Sequence, residues 1–207
     1  MPGAVIFDMD GVLADTEPMN QRAQDEVLAR HGVSLTDAEY ATLIGLSNGA
    51  TWRWLIDRFG LSGTPAALAA EYVAALRPAI SEGLHPAAGV VELIAQLTDA
   101  GTRLGLASSS PRGAVDAVTE ALGLSGAFGA VVCDEDVTNG KPAPDLFLLA
   151  AARLSVAPER CVVIEDSLHG LEAAAAAGMT AIGLRTRYNR AARLKAPHVV
   201  ESLAELI

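Results

Sequence analysis

Asp8 and Asp10 stand two residues apart where an apolar run ends, in AVIFDMDGV. Two carboxylates this close raise each other's pKa, and burial penalises both charges, so the pair is costly unless a cation shares its surroundings. Such carboxylates can serve as nucleophile, as proton donor and acceptor, or as ligands of a hard metal ion. Polar residues close other apolar runs too: Ser108 ends RLGLAS, Asp134 follows AVVC, and Glu165 and Asp166 end CVVIED. In an open α/β sheet, ligands bind outside the carboxyl ends of the strands. Residues far apart in sequence are therefore expected at one edge. Lys141, in GKPAPD, adds a compact positive charge; the chain has only one other lysine, Lys195.

The elements that would carry these residues are six short aliphatic runs: AVIFD, RLGLASS, AVVCD, CVVIED, TAIGL and HVV. They lack clean alternation, as strands buried on both faces of a parallel sheet do. Helical stretches separate them. One starts at Ser110–Pro111 and stops at Gly123, and another runs from Asp166–Ser167 through the alanine-rich tract to Gly178. This alternation predicts an α/β fold, a doubly wound parallel-sheet (Rossmann-like) core. Residues 17–80 break the rhythm with four helices: PMNQRAQDEVLARHG, TDAEYATLIG with a Thr36/Glu39 capping box, ATWRWLIDRFG, and TPAALAAEYVAALRP capped by Thr64. The expected organisation is a core of residues 1–16 and 81–207, with a helical-bundle cap domain of residues 17–80 inserted after the first strand.

The chain has 207 residues, 51% of them hydrophobic, and a formal net charge of −10. A chain of this length buries about 70% of its unfolded surface, so no disulfide or structural metal is needed. Cys133 and Cys161 both lie in apolar runs and read as buried thiols of a reduced, cytoplasmic protein. No signal peptide or membrane span is expected, and the acidic balance excludes nucleic acid and anionic membranes as partners.

DMDGV (Asp8–Val12), the serine of LASSS (Ser108), GKPAPD (with Lys141) and IEDS (Glu165, Asp166) occur in the order used by the haloacid dehalogenase superfamily. The resemblance spans essentially the whole chain, including the helical insert, and is nearest to the branch of β-phosphoglucomutase and the sugar-phosphate phosphatases. It implies Asp8 as nucleophile and Asp10 as general acid and base. It also implies Mg²⁺ held by Asp8, Asp166 and the main-chain carbonyl of Asp10, with Glu165 either a direct ligand or a neighbour of one. A divalent cation would answer the repulsion within the aspartate pair. Ser108, with Ser109 beside it, and Lys141 would bind the phosphate. In the cap stretch IGLSNG, Gly45, Ser47 and Asn48 are candidate substrate contacts. Arg112 is either a contact for the far end of a substrate or an ordinary helix-surface arginine.

The expected activity is a Mg²⁺-dependent phosphatase acting as a monomer on a small phosphorylated metabolite, with an aspartyl-phosphate intermediate. Asp10 counts against dehalogenation, which needs no second acid. The insert has no lysine for the Schiff base of phosphonoacetaldehyde hydrolases. A β-phosphoglucomutase remains the alternative, but its cap histidine and arginine read Asn20 and Asn48 here. A catalytically silent binding domain would not need all the core motifs. Asp134, Glu135 and Asp136 read as a solvated turn, and His31, His85, His169 and His198 show no metal-binding spacing. Trp52 and Trp54 cannot share a helix face, so one belongs to the core and the other to substrate or solvent.

Overall fold

All six aliphatic runs become strands of one parallel sheet. They are β1 (Ala4–Phe7), β2 (Arg103–Ala107), β3 (Ala130–Val132), β4 (Cys161–Glu165), β5 (Thr180–Leu184) and β6 (His198–Val200), in the order β3-β2-β1-β4-β5-β6. The computed structural model describes residues 2–43 and 46–207. From β1 the chain winds outward through β2 to β3, then returns to the other side of β1 for β4, β5 and β6. The winding reverses between β1 and β4, so their carboxyl ends flank the crevice expected of a doubly wound sheet.

The strands lack alternation because both faces are covered. Val5 and Phe7 of β1 pack on one side with Val90, Leu93 and Ile94 of α5 (Val90–Asp99) and with Val115 and Val118 of α6 (Arg112–Ala121). Ala4 and Ile6 pack on the other side with Leu146 and Phe147 of α7 (Asp145–Arg153) and with Leu171, Ala173 and Ala174 of α8 (Leu168–Ala176). The alanine-rich tract is thus a helix pressed against the sheet. Cys133 and Cys161 are buried free thiols, and they belong to the two opposite layers.

Four helices fill the interval between β1 and α5: α1 (Glu17–Arg30), α2 (Asp37–Leu43), α3 (Asn48–Phe59) and α4 (Pro65–Ser81). Their starts follow local chemistry. Thr36 and Glu39 form the expected reciprocal cap, and Thr64 Oγ1 accepts from Ala67 N at 3.2 Å. Two boundaries differ from the sequence reading. α3 begins at Asn48 because Ser47 caps it, its Oγ accepting from Ala50 N at 3.3 Å. α4 continues through Pro78 to Ser81. A proline inside a helix costs about 3 kcal/mol, and burial of Ala79 and Ile80 in the next turn offsets this. Trp52 is buried against Tyr72 with ring centroids 6.2 Å apart, whereas Trp54 lies half-buried against Phe59. No helix among the described residues is long and apolar enough to cross a membrane.

Candidate active site

Asp8 follows β1, and its N–H donates to Ile164 O at 2.9 Å, extending the β1–β4 ladder by one residue. This brings its carboxylate to Glu165 and Asp166 at the end of β4. One oxygen from each of the three lies within 4.8 Å of the others. Lys141 joins them: Nζ donates to Asp8 Oδ1 at 2.5 Å, to Glu165 Oε1 at 2.7 Å and to Ala107 O at 3.2 Å. The ammonium also sits 5.0 Å from the centre of the Phe147 ring, and its side chain is only 6% exposed.

These groups perturb one another strongly. Burial, reinforced by Glu165 and Asp10 and opposed by Lys141, lifts Asp8 to about 7. Burial, with Glu165 and Asp8 beside it, lifts Asp166 to about 8. Burial works against the Lys141 charge, but Asp8 and Glu165 outweigh it and hold its pKa above the usual lysine value. One ammonium thus faces three clustered carboxylates. That set is all oxygen and rich in negative charge, as a Mg²⁺ site requires. Two glycines make room for it: a Cβ at Gly11 would collide with the Asp166 carboxylate, and one at Gly170 with that of Glu165. Ser167 N also donates to Glu165 Oε2 at 2.5 Å.

After Asp8 the chain curls as expected, with Val12 and Leu13 donating to Met9 O and Gly11 at a φ of 80°. The Asp10 carboxylate consequently stands apart from the three-carboxylate cluster. Its Oδ1 accepts from Thr16 Oγ1 at 2.5 Å and Asn20 Nδ2 at 3.1 Å, and its Oδ2 from Ser110 Oγ at 2.8 Å. Asn20 Oδ1 in turn accepts from the buried Tyr72 hydroxyl at 2.8 Å. Ser110, expected to start a helix, therefore spends its hydroxyl on Asp10, and α6 starts at Arg112 without a side-chain cap. Ser108 is fully buried, and its Oγ accepts from Ser110 N at 3.0 Å.

The insert meets this edge at the start of α3. Asn48 N donates to Ser109 O at 3.3 Å, and Gly49 N to Asp134 Oδ2 at 3.0 Å. Ser47 and Asn48 are thus brought to the phosphate-loop candidates, while Gly45 lies outside the described residues. Arg112 Nη2 donates to Asp136 Oδ2 at 2.7 Å and Val131 O at 3.3 Å, beside the phosphate-loop candidates. One expectation is corrected here. The Asp134–Asp136 turn is not merely solvated. Asp136 pairs with Arg112 and Arg153 and accepts from Cys133 N, and Asp134 is partly buried against the insert. No histidine joins the metal-type cluster among the described residues.

Sequence reasoning missed the groups that hold the acidic residues. Thr16 and Tyr72 serve Asp10, and Thr186 and Asn189 serve Asp166. Only Gly170 left a signal: a glycine in the first turn of a helix is unfavourable unless space demands it.

Fold and site together define an α/β enzyme centred on carboxylates. The chain belongs to the haloacid dehalogenase-like hydrolases, whose family pattern matches residues 5–184. Fructose-1-phosphate phosphatase YqaB of Escherichia coli K12 is 37% identical over 185 residues, spanning 87% of this chain and 95% of the relative. A mutant of CbbY from Rhodobacter sphaeroides, solved in complex with xylulose-(1,5)bisphosphate, superposes with a TM-score of 0.92 at 31% identity over 100% and 96% of the two chains. β-Phosphoglucomutase from Clostridium difficile superposes with a TM-score of 0.85 at 26% identity, over 100% and 94%.

Proposed function

We propose that this hydrolase is a Mg²⁺-dependent phosphatase that removes phosphate from a small sugar phosphate through an aspartyl-phosphate intermediate. The observation that carries the reading is the buried Lys141 ammonium bridging Asp8 and Glu165 at the point where the sheet's winding reverses. A carboxylate held against a cation is positioned to attack a phosphate ester while the cation balances the oxygens. Asp8 forms the bond to phosphorus as the ester P–O bond breaks. The leaving alkoxide takes a proton from Asp10, which then takes one from water as that water attacks the aspartyl phosphate. Inorganic phosphate leaves and Asp8 is restored. Thr16, Asn20 and Ser110 aim the Asp10 carboxylate for both transfers.

Asp8, Asp166 and the main-chain carbonyl of Asp10 would hold Mg²⁺, with Glu165 alongside. The bound ion supplies charge neutralisation for the phosphoryl oxygens. Ser108, Ser109 and Lys141 receive the phosphate, and Ser47 and Asn48 face the rest of the substrate. Residues 17–80 act as a cap that closes on the core of residues 1–16 and 81–207, hinging near Asp15–Glu17 and Ser81–Leu84. The proposal takes the protein as a monomer acting on a dissolved metabolite in the cytoplasm, and the net charge of −10 disfavours nucleic acid and anionic membranes as partners.

The likeness to a β-phosphoglucomutase favours a second reading, phosphoryl transfer between positions of one sugar. Asn20 argues against it. Its amide is spent between Asp10 and Tyr72 and carries no charge for a second phosphate. The test is phosphate release from a panel of sugar phosphates, starting with fructose 1-phosphate, with Mg²⁺ or with chelator. Hydrolysis that vanishes in chelator is expected. β-Glucose 1-phosphate with catalytic 1,6-bisphosphate should give inorganic phosphate or nothing; rapid formation of glucose 6-phosphate would make the mutase reading correct.

A further inference from the structure

Asp166 is the first residue past β4, so its carbonyl has no strand neighbour to continue the ladder. The Leu184 carbonyl at the end of β5 is in the same position. Both are met by one side chain from the loop that follows β5. Asn189 Nδ2 donates to Asp166 O at 2.7 Å and to Leu184 O at 2.9 Å, while its Oδ1 accepts from Thr186 N at 3.0 Å. The side chain is buried, and its orientation is forced: turning the amide over would set its oxygen against two carbonyls and its NH₂ against an N–H. A single amide thus replaces the next rung between two strand ends.

The same residue reaches the Asp166 carboxylate indirectly. Thr186, whose N–H is fixed by Asn189, donates its hydroxyl to Asp166 Oδ2 at 3.3 Å. Main chain and carboxylate of Asp166 are thus both held from the loop after β5, by the buried Asn189 and the half-buried Thr186. The loop is anchored at its other end, because Arg185 Nη1 donates to Asn189 O at 2.9 Å and Ala192 O at 2.8 Å. The intervening Arg187 and Tyr188 point outward to Asp15 and take no part in holding Asp166.

We propose that Asn189 is a positioning residue that, with Thr186, fixes Asp166 for cation binding, so that metal affinity is set partly from the loop after β5. The inference rests on the reading of Asp166 as a metal ligand. Partners behind a ligating carboxylate typically contribute about 10- to 100-fold in metal affinity. An unheld Asp166 would turn its carboxylate away from Asp8 and Glu165, which repel it.

The experiment measures Mn²⁺ binding by electron paramagnetic resonance, and melting in chelator, for the wild type and for Asn189→Ala, Thr186→Val, Tyr188→Phe and Asp166→Asn. Asn189→Ala is expected to raise the Mn²⁺ dissociation constant about tenfold or more, and Thr186→Val about threefold to tenfold. Tyr188→Phe, which removes only the outward bonds to Asp15 and Arg187, should leave affinity within about twofold of wild type. Turnover of Asn189→Ala should recover at saturating Mg²⁺, which a general loss of packing would not allow. If Asn189→Ala does not fold, the near-isosteric Thr186→Val decides. Unchanged affinity in both loop variants, with binding lost in Asp166→Asn, overturns the role of Asn189 and leaves the metal site standing. Wild-type binding by Asp166→Asn overturns the metal-site reading and this inference with it.

Discussion

The carboxylate edge of the core and the start of α3 are held by different means. At the carboxylate edge the contacts are made by side chains, each gripped from several directions: Lys141 by three acceptors, and Asp10 by three donors, one of them Asn20 of the insert. On the insert side, the start of α3 meets the core through main-chain N–H groups, Asn48 to Ser109 and Gly49 to Asp134. A side-chain network in low dielectric is rigid and sensitive to each member. Main-chain contacts at one helix start can part and re-form, and almost any side chains can surround them. On the proposed reading, the chemistry is invested in the core and substrate choice is left to the insert.

The sharpest way to break the core side is Asp8→Asn. The fold should persist while turnover falls more than about a thousandfold, as expected for loss of a nucleophile. Mass spectrometry of wild type quenched in acid should find a phospho-adduct on Asp8. A variant retaining a few per cent of activity would remove the covalent mechanism.

Lys141→Met should come next, with turnover reduced about 100-fold or more. It also leaves Asp8 and Glu165 buried together without their cation, a loss of about 3–5 kcal/mol when both are ionised. Urea unfolding in metal-free buffer at pH 8 reads this directly, and restoration by Mg²⁺ separates charge from packing.

Acidity gives a smaller, graded effect. Asp8 and Asp166 titrate near 7 and 8 in the folded chain, against 3.8 for an ordinary aspartate. Between those values the folded form holds more protons than the unfolded, so metal-free stability is greatest at the acid end and declines as pH rises toward 8. A cation must displace these protons. Its affinity should rise at least about tenfold from pH 6 to pH 8, with proton release visible by calorimetry in buffers of different ionisation enthalpy. Affinity independent of pH would show that the carboxylates are ionised before the metal arrives.

The insert side should yield least. Asp134→Ala removes the acceptor for Gly49 N–H and should raise KM about threefold while kcat stays within about twofold. Solution scattering with and without a phosphate mimic should show the insert closing less completely in this variant. Equal profiles for both proteins would mean that Asp134 has no part in docking.

The strands were legible because each is a local apolar run ending in a polar residue, and Asp8, Ser108, Lys141, Glu165 and Asp166 inherit their places from strand and loop order. The supporting cast was not legible, because its pairings join residues far apart: Asn20 with Tyr72 across 52 positions, Asp166 with Asn189 across 23, and Gly49 with Asp134 across 85. No local period or cap encodes such bonds. Arg112 reads equally as a substrate contact or a surface arginine, and its bond to Asp136 joins residues 24 positions apart.

Both tryptophans of the chain lie on α3, Trp52 buried against Tyr72 and Trp54 partly open beside Phe59. Light absorbed at the red edge near 295 nm is therefore emitted by the insert alone, and the catalytic core stays dark. The molecule carries its own optical label on the part expected to move. A stopped-flow trace of tryptophan emission after mixing with a phosphate mimic would time the insert's response without any engineered probe.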